Sequence, residues 1–220
     1  PLRALVIAPA AADAQLPAVQ DALQGHDIPF TTVLLFPDAG SPSTRGPTLE
    51  LEAAGLPLYG AIVRVGSLDG LTTAEESALA TYESAHGVRV ASCGVVPAAA
   101  SGMANPPSGS GGTVDDMWLS FASSSDAASH GHTNDMAVPA DGGVTKWPAP
   151  VASPAVATPL FLFGSSANSG GSASTVAASV VVPAAGRLHL ELYFSLPSHS
   201  LCSTVAASVM VRWAFGDVYA

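Results

Sequence analysis

The sequence predicts an α/β domain with a parallel or mixed sheet that is flanked by helices. Short apolar segments typical of buried strands alternate with amphipathic, helix-like segments over residues 2–96. After residue 158, segments rich in β-branched and aromatic residues are joined by turn residues, as in hairpins. The 220 residues suffice for one sizeable core. We therefore expect a single domain over residues 1–220.

The first half of the chain supports this class element by element. Leu16, Val19 and Leu23 lie at helical spacing within residues 13–25, and Gly25 follows as a stop signal. This pattern predicts an amphipathic helix. The apolar run at residues 2–9 predicts a strand that is buried on both faces. Residues 30–36 and 60–65 predict two further strands, with a polar loop before the third.

A second helix is predicted from about residue 74 to residue 85. Thr72 or Thr73 can act as the N-cap, and Glu75 and Glu76 place negative charge in the first turn. A fourth strand follows over residues 88–96. The repeated strand-helix-strand order favours parallel pairing.

The middle segment, residues 98–150, breaks this order. It is rich in Gly, Ser and Pro and shows no sustained hydrophobic period. We interpret it as an insertion that is irregular and partly β, with short strands starting at Val138 or Val144. Long irregular segments often carry function.

The last third returns to regular structure. Strands are predicted over residues 158–163 and 174–182, and residues 187–195 form the returning arm of a hairpin. Apolar residues four positions apart, ending at Trp213, predict a final helix over residues 200–215.

Composition limits the partners. A net charge of -10, from 17 acidic and 7 basic side chains, opposes binding to nucleic acid. No run approaches the roughly 20 apolar residues that span a bilayer, so we expect no membrane insertion. The start at Pro1, without an initiator Met, fits a mature secreted protein or a fragment, and we expect an extracellular location. Tracts of Ser, Thr and Pro leave O-linked sugar open, as in a glycoprotein.

Cys93 and Cys202 leave two alternatives open. They form one disulfide if they meet in an oxidising compartment, and otherwise they are two buried thiols.

Three stretches carry a resemblance to a known family: residues 59–63, residues 71–89, and Gly186-Arg187 together with the final Val211-Arg212-Trp213-Ala214-Phe215-Gly216. They resemble the N-terminal, non-catalytic region of secreted polysaccharide deacetylases similar to the fungal galactosaminogalactan deacetylase. The resemblance implies a flavodoxin-like or class I amidotransferase-like sheet. It also implies a carbohydrate-associated module that precedes a separate zinc-dependent deacetylase domain, with weak binding to amino-sugar polymers.

One constellation hints at catalysis. Cys93 follows a predicted parallel strand, where an amidotransferase carries its nucleophile on a tight turn. His189 and Glu191 share one face of a strand and are the candidate partners. The glycine that usually precedes the nucleophile is missing, which favours a structural role for Cys93. A Cys-dependent, amidotransferase-like hydrolase is the corresponding alternative function.

The middle segment also contains potential zinc ligands. Asp116 follows Asp115, and His130 and His132 lie two positions apart. The deacetylase pattern has histidines about four apart, so we expect solvated polar residues and no metal. Gly109 to Gly112 lack a following Lys-Ser/Thr, which excludes a phosphate loop, and we expect no cofactor.

Two tryptophans are the best candidates for contact with a glycan or another partner. Trp118 and Trp147 lie in the middle segment, whereas Trp213 occupies a helical core position. The leading hypothesis is therefore a non-catalytic, extracellular, carbohydrate-associated module. Only 11% of residues are charged, so the surfaces also suit self-association into a homo-oligomer or filament. A structural subunit of an extracellular fibre or matrix is thus the second hypothesis.

Overall fold

The computed structural model describes residues 3–11, 13–36, 46, 48–66, 70–106, 111–114, 117–122, 138–140, 144–164, 176–183, 187–197 and 200–216. The elements in the first half are β1 (Ala4–Ala8), α1 (Leu16–Gly25), β2 (Phe30–Leu34), β3 (Glu52–Ala53), β4 (Leu56–Pro57), β5 (Ala61–Val65), α2 (Thr73–His86) and β6 (Arg89–Cys93). After a short 3-10 helix, Ala99–Ser101, the remaining elements are β7 (Gly112–Val114), β8 (Met117–Phe121), β9 (Val138–Ala140), β10 (Val144–Lys146), β11 (Ala157–Gly164), β12 (Val176–Val181), β13 (His189–Leu192) and α3 (Leu201–Phe215).

Nine of these strands form one mixed sheet in the order β2-β1-β5-β6-β13-β12-β11-β8-β9. In this sheet order, the first five strands, β2, β1, β5, β6 and β13, are parallel to one another. The pairings from β13 to β9 are antiparallel. Strand β13 therefore joins a parallel half to an antiparallel half. The predicted class, an α/β sheet flanked by helices, is confirmed.

Helices cover both faces of the parallel half. All five residues of β1 are buried, as expected for a strand that is covered on both sides. Alternate side chains of β1 enter two different cores. Helices α1 and α3 pack on one face, which we call the α1/α3 face. Helix α2 packs on the other, the α2 face.

The start of α2 follows from local side-chain chemistry. The backbone N–H of Thr72 donates to Glu75 Oε2 at 2.9 Å, and the N–H of Glu75 donates back to Thr72 Oγ1 at 3.3 Å. This capping box selects Thr72 rather than Thr73 as the N-cap. Gly87 ends the helix in the left-handed conformation, at φ 63°.

Helix α3 is anchored at both ends. Ser200 Oγ accepts the N–H of Ser203 at 3.0 Å, which caps the first turn. At the other end, Arg89 Nη1 donates to the carbonyl oxygen of Trp213 at 2.9 Å. The same guanidinium lies over the Trp213 indole, 5.4 Å from the ring centre. These contacts hold the final helix against the parallel half of the sheet.

Two regions differ from the sequence-based expectation. The predicted polar loop before residue 60 contains the β3–β4 hairpin, whose turn places Ala54 and Gly55 at positive φ. In the middle segment, the predicted strand starts at Val138 and Val144 are confirmed. Strand β8, which was not predicted, pairs with β11 and so extends the main sheet. Short strands without clear alternation depend on distant partners, which the local sequence does not reveal.

A buried carboxylate connects α2 to β13. Glu83 of α2 is 0% exposed, and its Oε2 accepts hydrogen bonds from Arg187 Nε at 2.6 Å and His189 Nε2 at 2.8 Å. Burial alone raises the pKa of Glu83, but these two donors outweigh it and hold the pKa below its ordinary value. Glu83 is therefore an anion at neutral pH.

We predict that Glu83→Gln lowers the free energy of unfolding by about 3 kcal/mol at pH 7, because it removes the charge that pairs with Arg187. Glu76→Gln is the matched control on the same helix, since Glu76 is 48% exposed, and we expect a loss below about 0.5 kcal/mol. Urea unfolding measures both variants.

The same variant has a pH signature. The pKa of Glu83 is lower in the folded protein than its ordinary value of 4.5, so the ionised carboxylate stabilises the folded state above pH 4.5. This stabilisation is lost as the pH falls through the folded-state pKa. Glu83→Gln should flatten this acid dependence. An unchanged slope below pH 4.5 would show that Glu83 is not the responsible group.

Candidate functional site

Polar side chains form a continuous row across the α2 face of the sheet. Arg64 of β5 is in register with Ser92 of β6, Ser92 with Glu191 of β13, and Glu191 with Ser179 of β12. We call these four residues the polar row. Because side chains alternate along a strand, their neighbours in sequence enter the core on the α1/α3 face.

The middle segment lies on the same face of the sheet as α2 and borders the end of the row that is farther from this helix. Ser101 Oγ donates to Glu191 Oε1 at 2.9 Å. The Tyr193 hydroxyl lies 3.3 Å from Glu191 Oε2 and 2.6 Å from Ser179 Oγ. Burial, followed by the charge of Glu191, raises the pKa of Tyr193. Tyr193 therefore stays a protonated hydrogen-bond donor.

Solvent reaches two residues of the row, Arg64 and Glu191, and also the bordering Ser101, which are all partly exposed. The other two residues of the row, Ser92 and Ser179, are buried. Among the described residues, no Lys, Arg or His forms an ion pair with Glu191. Its two partners, Ser101 and Tyr193, are neutral hydroxyls. Glu191 thus presents a carboxylate whose charge no described side chain balances.

Trp147 lies beside the carboxyl end of β13. Its backbone N–H donates to the carbonyl oxygen of Tyr193 at 2.9 Å, and its side chain is partly exposed. The indole packs closely on Gly111, where an added Cβ would lie 2.8 Å from Trp147 Cδ1. The structure therefore brings this predicted contact residue to the end of the strand that carries Glu191. The backbone of Trp118 lies in β8, and its side chain is outside the described part of the chain.

The three residues of the amidotransferase-like hypothesis do not meet. Cys93 enters the buried core on the α1/α3 face, beside Leu192. His189 and Glu191 lie on the α2 face, where His189 is engaged with Glu83. Burial raises the pKa of the Cys93 thiol to about 12, which keeps it protonated. Cys93 and Cys202 are both buried thiols, and no disulfide joins them.

The place where an amidotransferase-like fold presents its nucleophile is filled by Gln15. Open α/β sheets bind ligands at the carboxyl ends of their parallel strands. Here Gln15 Oε1 accepts the backbone N–H of Leu196 at 3.1 Å. Gly94, which follows Cys93 at φ 68°, lies so close that an added Cβ would be 2.7 Å from the Gln15 amide. This crevice is therefore occupied by the chain itself.

The possible zinc ligands Asp116, His130 and His132 lie outside the described residues, as does Asp115. Within the described ranges, no group of three or more His, Cys, Asp or Glu side chains is placed to hold a metal ion.

None of the helices in the described part of the chain is both long enough and apolar enough to cross a bilayer.

Sequence reasoning named Glu191 and Trp147 but missed Arg64, Ser92 and Ser101. Arg64 interrupts the otherwise apolar strand AIVRV, and Ser92 lies between the buried Ala91 and Cys93 in the strand RVASC. A polar residue on a strand with both faces covered is a usable signal. Which polar residues of other strands lie beside it in the row depends on strand register, and the sequence around the residue does not encode the register.

Comparisons with known proteins agree with this architecture. The sequence model of the family described as Agd3 CBM87 matches residues 2–213. The crystal structure of Agd3, a novel carbohydrate deacetylase, superposes with a TM-score of 0.78 and 24% identity, covering 97% of this chain and 32% of that chain. This chain thus spans about a third of the length of Agd3. No curated protein is significantly similar to it.

A second structural neighbour explains the likeness to amidotransferases. A glutamine amidotransferase from Thermotoga maritima matches with a TM-score of 0.50 and 14% identity, covering 89% of this chain and 76% of that chain. At such identities the structural likeness shows the fold alone. The family match confirms the resemblance to the deacetylase group, and the chain belongs to the Agd3 CBM87 family of carbohydrate-binding modules.

Proposed function

We propose that this chain is a non-catalytic, extracellular carbohydrate-binding module that acts beside a carbohydrate deacetylase domain, and that its 220 residues form one domain. The polar row, bordered by Ser101, is the observation that carries this proposal. Trp147 lies beside the carboxyl end of β13, the strand that carries Glu191. Membership of a carbohydrate-binding module family supports the same ligand class.

The chemistry of the row suits a sugar. A sugar presents hydroxyls that both donate and accept hydrogen bonds, and ring faces that are apolar. Glu191 supplies a strong acceptor, because hydrogen bonds to an ionised carboxylate are about twice as strong as neutral ones. The partly exposed Trp147 supplies a flat apolar surface. A few polar groups beside an aromatic side chain are typical of small-ligand sites.

Two observations support a binding role rather than catalysis. Cys93 is buried on the face opposite His189 and Glu191, so the three cannot act on one substrate. Gln15 fills the crevice next to Cys93.

We predict that Glu191→Gln weakens binding to a retained polysaccharide about tenfold, because one charge-assisted hydrogen bond is lost. Depletion of the protein from solution by suspended chitin, chitosan, cellulose and insoluble polygalacturonate provides the binding curves. Trp147→Ala should weaken binding similarly, while Trp147→Phe should retain much of it. Asp21→Asn, an exposed carboxylate on α1, is the matched control on the other face. Equal binding by wild type and Glu191→Gln would contradict this site.

We predict that neither Cys93 nor Cys202 reacts with a thiol reagent in the native protein, because both are buried and Cys93 is a protonated thiol. Both should react after denaturation in guanidinium. Rapid modification of native Cys93 would reinstate the hydrolase alternative.

Self-association into an oligomer or filament is our second proposal. It is supported by Leu56, which is 68% exposed at the β3–β4 turn, and by two further exposed residues, Val182 directly after β12 and Leu188 directly before β13. Exposed apolar side chains favour contacts between chains.

Light scattering at rising concentration should then give a mass above that of one chain, and Leu56→Asn should reduce it. A constant monomer mass over the whole range would contradict this proposal.

A further inference from the structure

A groove lies between helix α2 and the segment that precedes β5. One wall is formed by Leu49, Leu51 and Glu52, and the other by α2. The cavity between them has a volume of about 510 Å³, which is in the range of ligand-binding clefts. The lining residues of α2 are Ala74, Ser77, Ala78, Thr81 and Tyr82.

Contacts within the chain hold both walls of this groove in place. The Tyr82 hydroxyl accepts the backbone N–H of Tyr59 at 2.8 Å and donates to the carbonyl oxygen of the same residue at 2.7 Å. Glu52 Oε1 lies 2.9 Å from Nε2 of His86, at the end of α2. The groove is therefore formed in the folded protein and does not have to be opened.

The helix wall exposes small side chains. Positions 74, 77, 78 and 81 lie on one face of α2, and all four are exposed. They carry Ala, Ser, Ala and Thr, in place of the long charged side chains that usually cover an exposed helix face. On the other wall, Leu49 and Leu51 pack against the core under α2 and remain partly exposed. The groove thus offers apolar surface that no long side chain of α2 fills.

The charge around the groove is negative. Residues 48–58 and helix α2 together contain five glutamates, but no lysine and no arginine. Four of these glutamates line the groove or lie next to its lining residues in sequence: Glu50, Glu52, Glu75 and Glu76. An acidic rim around apolar surface attracts a ligand that is cationic and partly apolar.

Neighbouring cations balance this rim only in part. Arg64 lies 3.7 Å from Glu76, and His86 contacts Glu52. The fifth glutamate, Glu83, is buried and faces the sheet, so it does not belong to the rim. Four carboxylates against one arginine and one histidine leave a net negative charge, which repels nucleic acid and anionic membranes.

The apolar surface suits the side chains of a peptide better than a sugar ring. A sugar packs best on the flat face of an exposed aromatic side chain. Among the described residues that line the groove, Tyr82 alone is aromatic, and it is only 2% exposed. The His86 ring lies against it, with the ring centres 4.9 Å apart. The open surface is aliphatic, as in grooves that bind apolar side chains of a partner.

We propose that this groove is an interaction surface for another protein, and that its occupant is a segment in which basic residues flank apolar ones. The apolar side chains pack on Leu49, Leu51 and the small side chains of α2, and the basic side chains contact the glutamates of the rim. This interaction does not depend on the proposed carbohydrate-binding function, because the groove contains no residue of the polar row.

The test uses a fluorescently labelled, end-capped octapeptide with four central leucines and two arginines at each end. Two control peptides replace either the leucines by serine or the arginines by glutamate. Fluorescence polarisation should show that the first peptide binds at least about tenfold more tightly than either control at about 0.05 M salt. Its affinity should fall about tenfold or more at about 0.5 M salt. Hydrogen exchange should show protection by the peptide in residues 48–58 and in α2.

One pair of variants tests the shape of the groove. Ala78→Trp fills it without changing the charge and should weaken peptide binding at least about tenfold. Ser84→Trp introduces the same side chain at an exposed position of α2 that does not line the groove, and it should bind as wild type does. Thermal melting reports whether each variant is folded.

A second pair tests the charge. Glu50→Gln combined with Glu52→Gln should weaken peptide binding about threefold or more, because two carboxylates of the rim are lost. Asp21→Asn combined with Asp27→Asn removes the same number of exposed charges at and just after α1. This second double variant should bind the peptide nearly as wild type does, which separates the groove from the overall negative charge.

The possible results are distinguishable. Unchanged peptide binding by folded Ala78→Trp would overturn the inference, as would protection confined to other segments. Stronger protection of the same segments by a chitosan oligomer would assign the groove to a cationic sugar instead. Protection that rises with protein concentration in the absence of peptide would assign it to a second copy of this chain. Failure of the arginine-leucine peptide to bind would also overturn the inference, and it would leave the proposed carbohydrate-binding function standing.

Discussion

The buried carboxylate of Glu83 is the constraint on which the arrangement of this module depends. An unpaired carboxylate in the interior costs several kcal/mol, so Glu83 requires cationic or hydrogen-bond-donating partners wherever α2 packs. The structure supplies them from Arg187 and His189, at the start of β13. Pairing with β6 in parallel is what places these two residues beneath the helix. A contact between one helix and one distant strand thus fixes how the two halves of the chain meet.

The polar row follows from the same arrangement. Once His189 faces α2, Glu191, two residues later, must face the same side and fall in register with Ser92. Helix α2 covers only the parallel half on this face. The middle segment covers the antiparallel half, and it contributes Ser101, which contacts Glu191 at the boundary. The row therefore lies where two covering layers meet, on rigid strands that hold its side chains in place.

The fold separates this module from the chemistry that its likeness to an amidotransferase suggests. Both share a parallel sheet flanked by helices, but a shared fold does not imply a shared function. In this chain the carboxyl end of β6 is closed by Gln15, and Cys93 is part of the core. The accessible polar groups are instead on the α2 face of the sheet. One architecture thus offers two distinct surfaces, and the residues present decide which of them is available.

The sequence by itself determined the parts that depend on neighbouring residues. Periodicity, capping residues and turn residues located the three helices, strands β1, β2, β5 and β6, and the hairpin of β12 and β13, and they narrowed the cap of α2 to Thr72 or Thr73. These features are readable because their partners lie within a few positions along the chain. Only the tertiary structure decided that β8 joins the main sheet, that Cys93 and Glu191 lie on opposite faces, and that Arg64 lies in one row with Ser92 and Glu191. Those relations depend on strand order and register, which arise from pairings between residues far apart in sequence, and no local pattern encodes them.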